Sequence, residues 1–422
     1  MLRQDLIGEA TRLTRAGRLV EATALLQRML RGGGAPGPNS RNAQPTLEEP
    51  TIIDGQANVI EENNGPDVTP AQAHMLGELL DRATQRGGFA LRGVTARKPP
   101  SPADVVPDGT RFIEGSYSNP AGSRAYKLFI PSRHKDQPLP LIVMLHGCTQ
   151  SPDDFAAGTR MNFIAEQKTC FVVYPAQRSE ANRAKCWNWF RAADQQRGRG
   201  EPSIIAGITR QVMRDFPVDK DRVYVGGLSA GAAAAAVMGN TYKDLYAAIG
   251  VHSGLACGAA TDLPSALVAM RQGGGSNRWA VVGDGPPVPT IVFHGDHDTI
   301  VHPNNGDQIL EQSVRAMRLQ KKIDRGQVPG GHAYTCTILS DASGRGILEH
   351  WNIHGAGHSW SGGSPAGSYT DPKGPDATRE MMRFFPRAFA RAAIRVAAVR
   401  SWARWRSSVW LRYGLLIGAH RK

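Results

Sequence analysis

The feature that most restricts this chain is a set of wholly apolar segments separated by helical ones. Residues 139–147 read LPLIVMLHG, residues 170–175 read CFVVYP, and residues 222–227 read RVYVGG. A strand with no polar face is buried on both sides, as in a parallel sheet covered by helices. PSIIAGITRQVMRDF, with Pro202 in its first turn, reads as a helix, and so does the small-residue run from Ala230 to Met238, with a stop signal at Gly239-Asn240. AAIGVHSG, TIVFHGD and the segment around LEHWNIHG supply later strands, and RFIEGSYS and RAYKLFIPS pair across a turn at Asn119-Pro120-Ala121-Gly122. The alternation predicts an α/β chain with a mostly parallel central sheet and helices on both faces. No internal repeat is present.

A chain of 422 residues has room for one large domain with appendages, or for two domains. Residues 1–31 read as a helical segment, with Leu19, Ala22, Leu25, Leu26 and Met29 at helical spacing. Residues 32–107 are rich in Gly, Pro and Asn, lack a sustained period and read as a flexible linker, with helical character between Ala71 and Gln85. The main domain is expected over 108–385, followed by a tail over 386–422.

Of the formal charge of +13, ten units lie between Met381 and Lys422, where there are ten basic residues and no acidic one. The remainder is nearly neutral, which speaks against a nucleic-acid-binding core. Arg383, Arg387, Arg391 and Arg395 share one helical face, with Phe384, Phe385, Ile394, Val396, Trp402, Trp405 and Trp410 interleaved. Two readings stand side by side: an amphipathic helix for an anionic membrane or hydrophobic granule surface, and a disordered solubilising tail. The sequence has no apolar run of 18 residues for a spanning helix. The N-terminus shows neither an uninterrupted apolar core nor a small-residue cleavage site, so cytoplasmic residence is expected. Five cysteines without a C-x-x-C pair argue against a zinc cluster, and a reducing compartment would keep them as thiols.

Gly227-Leu228-Ser229-Ala230-Gly231 fits G-x-S-x-G, a weak signal alone. Its setting between a strand and an Ala-rich helix is what a nucleophile elbow requires. A serine hydroxyl needs a base to become nucleophilic. In the α/β-hydrolase order the acid and then the base follow the serine. Asp296 and Asp298 end one later strand, and His354 and His358 follow another. Asp298 is preferred because it lies past the strand end, with Asp296 as a turn residue. His358 is preferred because Gly-Ala-Gly precedes it, with His354 structural. His294 and His302 read as turn or core residues. The oxyanion needs two backbone donors. Ala230, after the nucleophile, is one, and Cys148, in the loop after the early strand, is the other through its N–H. No metal or organic cofactor enters this scheme.

LHGCTQ (145–150), CWNWF (186–190), RGRGEPSIIAGIT (197–209), VGGLSAGAA (225–233), FHGDHDTIVHP (293–303) and GAGHSWSGG (355–363) together resemble the polyhydroxybutyrate-depolymerase-type esterases of the α/β-hydrolase superfamily. The resemblance spans roughly 110–385. It implies an ester hydrolase of short-chain polyhydroxyalkanoates, with Ser229 as nucleophile, Asp298 as orienting acid and His358 as base. Relatives with similar cores cleave feruloyl or acetyl esters of plant polysaccharides, the rival reading, and a granule- or membrane-surface protein is a rival of another class. Trp187, Trp189 and Trp360 lie in matched motifs as candidate substrate-binding surfaces, with a packed core tryptophan as the alternative for each. The implied partner is an ester substrate or polyester granule. Secreted relatives join the equivalents of Cys148 and Cys186, a disulfide that cytoplasmic residence argues against. Cys257 and Cys336 read as small buried residues.

Overall fold

A computed structural model describes residues 99–274, 287–314 and 318–387. The expected N-terminal helical segment, the linker up to residue 98 and the tail beyond 387 lie outside them. In chain order the strands of the main sheet are β1 (Arg111–Asn119), β2 (Gly122–Ile130), β3 (Leu139–Leu145), β4 (Phe171–Pro175), β5 (Val218–Leu228), β6 (Ala248–His252), β7 (Thr290–Gly295), β8 (Gln320–Gln327), β9 (Ala333–Ser340) and β10 (Gly346–Ile353). Among the described residues they form one sheet in the order β1-β2-β4-β3-β5-β6-β7-β10-β9-β8. From β4 to β10 the neighbours are parallel, and each edge is finished by two antiparallel strands. The mostly parallel sheet expected from the apolar segments is present.

The period of two along β3 divides the core. Leu141, Val143 and Leu145 face one cluster, and Ile142 and Met144 the other. Pro102–Val105 (α1), Pro152–Thr159 (α2) and Met161–Lys168 (α3) lie on the second face. Gly200–Asp215 (α4), Ala230–Thr241 (α5), Leu263–Gln272 (α6) and Asn304–Val314 (α7) contribute to the first. A last helix over 377–387 (α8) returns to the second face through Ala377, Met381, Phe384 and Phe385.

Four sequence expectations need correction. Packing starts before residue 108: Val105 is buried, and Asn162 Nδ2 donates to its carbonyl at 2.9 Å. The basic stretch begins inside the domain. Arg383 pairs with Glu349 and Glu380, and Phe385 stacks on Tyr224 with ring centres 4.8 Å apart. Gly239-Asn240 does not stop α5, which runs to Thr241. A Cβ on Gly239 would stand 2.8 Å from Ile249, so this glycine lets the helix lie close to β6. Finally, β8 and β9 add two strands to those the sequence pattern predicts. β8 is QKKIDRGQ, an exposed, charged edge strand without an apolar run.

Candidate active site

Ser229 sits in the one-residue joint between β5 and α5, with φ 56° and ψ −120°. A non-glycine residue held there carries roughly 1–3 kcal/mol of backbone strain. The surroundings hold it: its N–H donates to His252 O at 2.9 Å, and its carbonyl accepts from Ala233 N at 2.9 Å. A Cβ on Gly227 would collide with Leu145 O and Gly231, and one on Gly231 with Leu145 O and His146 O. The two glycines of the motif therefore let the turn press against the end of β3, which presents the serine at the carboxyl edge of the sheet.

The next strands bring an acid and a base to the same edge. Asp298 lies beyond β7, with a fully buried side chain. Its Oδ1 accepts from Ile300 N at 2.9 Å and Val301 N at 2.8 Å, and its Oδ2 accepts from His358 Nδ1 at 2.7 Å. Burial alone would raise this carboxyl. The charge of His358 and hydrogen bonds from His294 and His358 outweigh it and hold Asp298 well below the usual carboxylate range. His358 is thereby oriented with Nε2 making no hydrogen bond among the described residues. Among the described residues Ser229 Oγ makes no hydrogen bond to it, and such contacts commonly tighten only with substrate in place. Asp296 and His354 form a separate pair, Oδ2 to Nδ1 at 2.9 Å. Asp296 Oδ1 also accepts from Gly355 N at 2.7 Å, and His354 Nε2 lies 2.9 Å from Thr335 Oγ1. With both ring nitrogens of His354 engaged, this pair clamps the ends of β7 and β10.

Ala230 is the first residue of α5, where helix geometry leaves the N–H without an intrahelical acceptor. Cys148 lies in the loop after β3, and its N–H donates no hydrogen bond within the described residues. That loop is tied at several points. Thr149, with φ 66°, donates its N–H to Ala184 O at 2.6 Å. Gln150 accepts from Gly147 N at 2.9 Å and donates to Asp154 at 3.0 Å, while Asp154 also holds Ser368. Cys148 is disulfide-bonded to Cys186, against the expectation of free thiols, whereas Cys170, Cys257 and Cys336 are buried and unpaired.

Sequence reasoning assigned no role to Glu201, which organises the segment carrying Cys186. It is buried at the start of α4 and accepts from Arg124, Gln177 and both Asn188 nitrogens. Its signal was an acid in the first turn of a helix, just ahead of the apolar run 204–208. A carboxylate is buried without prohibitive cost only when paired and hydrogen-bonded in this way.

Two further buried histidines frame the site. His146 Nδ1 donates to Gly147 O at 2.7 Å and Nε2 accepts from Gln177 N at 3.0 Å. His252 Nε2 accepts from Ser361 N at 2.9 Å, and its carbonyl holds Ser229. Protonation would break both accepting bonds. Burial pushes His146 down to about 4 and His252 down to about 3. Unfolding lets both take up protons near the ordinary value of about 6.5. Their contribution is therefore complete above about pH 6.5 and declines as pH falls, by up to about 1.4 kcal/mol per pH unit for each histidine. Urea midpoints measured from pH 7.5 to 5 should drop steadily, and a flat profile would contradict this assignment.

The cleft above Ser229 and Ala230 is walled by the disulfide, Trp189, Phe190, Leu255 and Met270, with no charged side chain in its lining. Of the three candidate tryptophans only Trp189 reaches it. Trp187 is fully buried beside His146, and Trp360 is sealed between His252 and Phe155 with Nε1 donating to Thr378 Oγ1 at 3.0 Å. Neither exposes a surface to a substrate, so both are core residues. Among the described residues no group of three or more His, Cys, Asp or Glu is placed to hold a metal ion, and no helix is long and apolar enough to cross a membrane.

Comparison with known proteins agrees with this architecture. Residues 124–328 match the family described as esterase PHB depolymerase. Poly(3-hydroxyalkanoate) depolymerase C of Paucimonas lemoignei is 33% identical over 228 residues, 52% of this chain and 54% of that protein. A probable acetylxylan esterase A of Aspergillus clavatus is 29% identical, covering 46% of this chain and 66% of its own length. The chain thus spans about half of the first and about two thirds of the second. Among solved structures, acetyl xylan esterase from Aspergillus awamori superposes with a TM-score of 0.52 at 20% identity, covering 65% of this chain and 99% of the other, which shows the shared α/β-hydrolase fold.

Proposed function

We propose, from the kinship of residues 124–328 with the esterase PHB depolymerase family, that this chain is a serine carboxylic-ester hydrolase. The observation that carries the reading is the strained Ser229 at the same sheet edge as the buried Asp298–His358 pair. In this scheme His358 Nε2 takes the Ser229 proton as Oγ attacks the ester carbonyl. The oxyanion rests on the N–H groups of Cys148 and Ala230. His358 then protonates the departing alcohol, and a water activated by the same imidazole releases the acid. Asp298 keeps the ring in the tautomer that leaves Nε2 free to accept.

The substrate assigned is a short-chain polyhydroxyalkanoate, polymer or oligomer. The depolymerase relative supports it, as does a cleft with no charged side chain in its lining. Feruloyl or acetylxylan-type esters form the second reading, favoured by the acetylxylan esterase relatives and their fold. Initial rates on hydroxybutyrate oligomers, amorphous polymer, ethyl ferulate and acetylated xylan separate the two. Hydroxybutyrate oligomers should give the highest kcat/KM by roughly tenfold, within what pocket contacts can discriminate. A tenfold advantage for the feruloyl or acetyl ester would replace the polyester reading. The Cys148–Cys186 disulfide favours an oxidising compartment over the cytoplasm. Adsorption of segment 388–422 to a granule or anionic surface rests on its sequence, outside the described residues.

A further inference from the structure

Behind Asp298 lies a layer of histidines for which the reaction scheme has no use. His294, on β7, is buried, with Nε2 2.8 Å from Val301 O and 3.5 Å from Asp298 Oδ2. A nitrogen facing two oxygens must carry the proton, so neutral His294 is protonated at Nε2 and offers a lone pair at Nδ1. That Nδ1 is buried and has no partner among the described residues. On the adjoining parallel strand β10, His350 is only 9% exposed. Its Nδ1 lies 3.6 Å from Asp307 Oδ1, and its buried Nε2 also lacks a partner among the described residues. Burial pushes His350 down to about 4 against the opposing pull of Asp307. At neutral pH its Nε2 is therefore an acceptor as well.

Gly306, on α7, brings the two nitrogens into one place. A Cβ there would stand 2.9 Å from His350 Nε2 and 3.2 Å from His294 Nδ1. The nitrogens are thus within about 6 Å of each other, yet make no direct hydrogen bond. Asn352, the cross-strand neighbour of His294, leaves its Oδ1 without a partner among the described residues too. Two buried acceptors facing one point are costly unless a donor satisfies both, and a water molecule brings two O–H donors.

We propose that His294 and His350 hold one buried water beside Gly306, and that this water-linked pair positions Asp298, an inference that rests on the ester-hydrolase reading. By donating to Nδ1, the water reinforces the placement of the His294 proton on Nε2 that Val301 O and Asp298 Oδ2 already favour, beside His358. With the other tautomer, a lone pair would face the carboxylate, and the Asp298–His358 alignment would loosen. His294 and His350 are positioning residues and do not touch the reacting atoms.

Two measurements on the full-length protein test this. A high-resolution crystal structure should show a water within hydrogen-bond distance of both nitrogens. Imidazole ¹⁵N spectra at pH 7 should show His294 protonated at Nε2 and His350 at Nδ1. Absence of the water, or a His294 proton on Nδ1, overturns the proposal without any variant having to fold. His350→Phe should lower kcat on a soluble ester roughly tenfold at unchanged KM, the scale of a slightly misplaced catalytic group, and mix the His294 tautomers. His350→Gln, which keeps a hydrogen-bonding end, should restore both. An unchanged kcat and unchanged tautomer in a folded His350→Phe protein overturns the positioning role. Failure of wild-type Ser229 to react with a serine-directed fluorophosphonate would instead sink the ester-hydrolase reading and leave the water measurement standing.

Discussion

Replacing Ser229 with alanine should remove at least about 10⁴-fold of the hydrolysis of a chromogenic short-chain ester, because the serine, base and acid act as a unit and loss of one disables the rest. The fold should survive. The strained joint is held by the backbone bonds to His252 and Ala233 and by the contact of Gly227 and Gly231 with the end of β3, none of which uses the hydroxyl. Circular dichroism of the variant should therefore overlay that of the parent. A folded Ser229→Ala protein with a tenth of the parent activity would show that another group is the nucleophile.

The second large effect separates two aspartates only two positions apart. Asp298→Asn should lower kcat by about 10³- to 10⁴-fold, since an amide facing His358 Nδ1 favours the wrong imidazole tautomer. Asp298 is fully buried and accepts two backbone N–H groups besides His358, so the amide cannot satisfy every donor around it. Some loss of stability should accompany the loss of rate. Asp296→Asn should cost far less in rate, because its carboxylate is partly exposed and engages His354 and Gly355 instead. Steady-state kinetics on the two purified variants decide the matter. A larger loss in Asp296→Asn would move the acid to the other side of the turn.

The fold class was legible because burial on both sides of a strand leaves a simple mark. LPLIVMLHG, CFVVYP and TIVFHGD carry no polar face, and only a covered sheet accommodates that. The sharp turn at Ser229 was legible for a similar reason, since it needs small residues on both sides of the serine, and Gly227 and Gly231 supply them. The preference for Asp298 as lying past the strand end does not by itself separate the two aspartates, since Asp296 also follows β7; they differ in the partner each meets, His358 for Asp298 and His354 for Asp296.

Other features depend on distances that no local pattern encodes. Trp187, Trp189 and Trp360 look alike in sequence, yet only Trp189 lines the cleft, because which face of a loop is covered depends on elements far away in the chain. Pairing of Cys148 with Cys186 joins residues 38 apart and needs two loops to meet. Arg383 reads as one of a row of tail cations, but Glu349 on β10 and Glu380 on its own helix draw it into the domain. Sequence by itself determined the mostly parallel sheet and the strand-turn-helix setting of Ser229, since each depends on residues adjacent in the chain. Tertiary structure decided which tryptophan lines the cleft, which cysteines join and what stands behind Asp298, because burial and hydrogen bonding are settled by neighbours that the chain brings together only on folding.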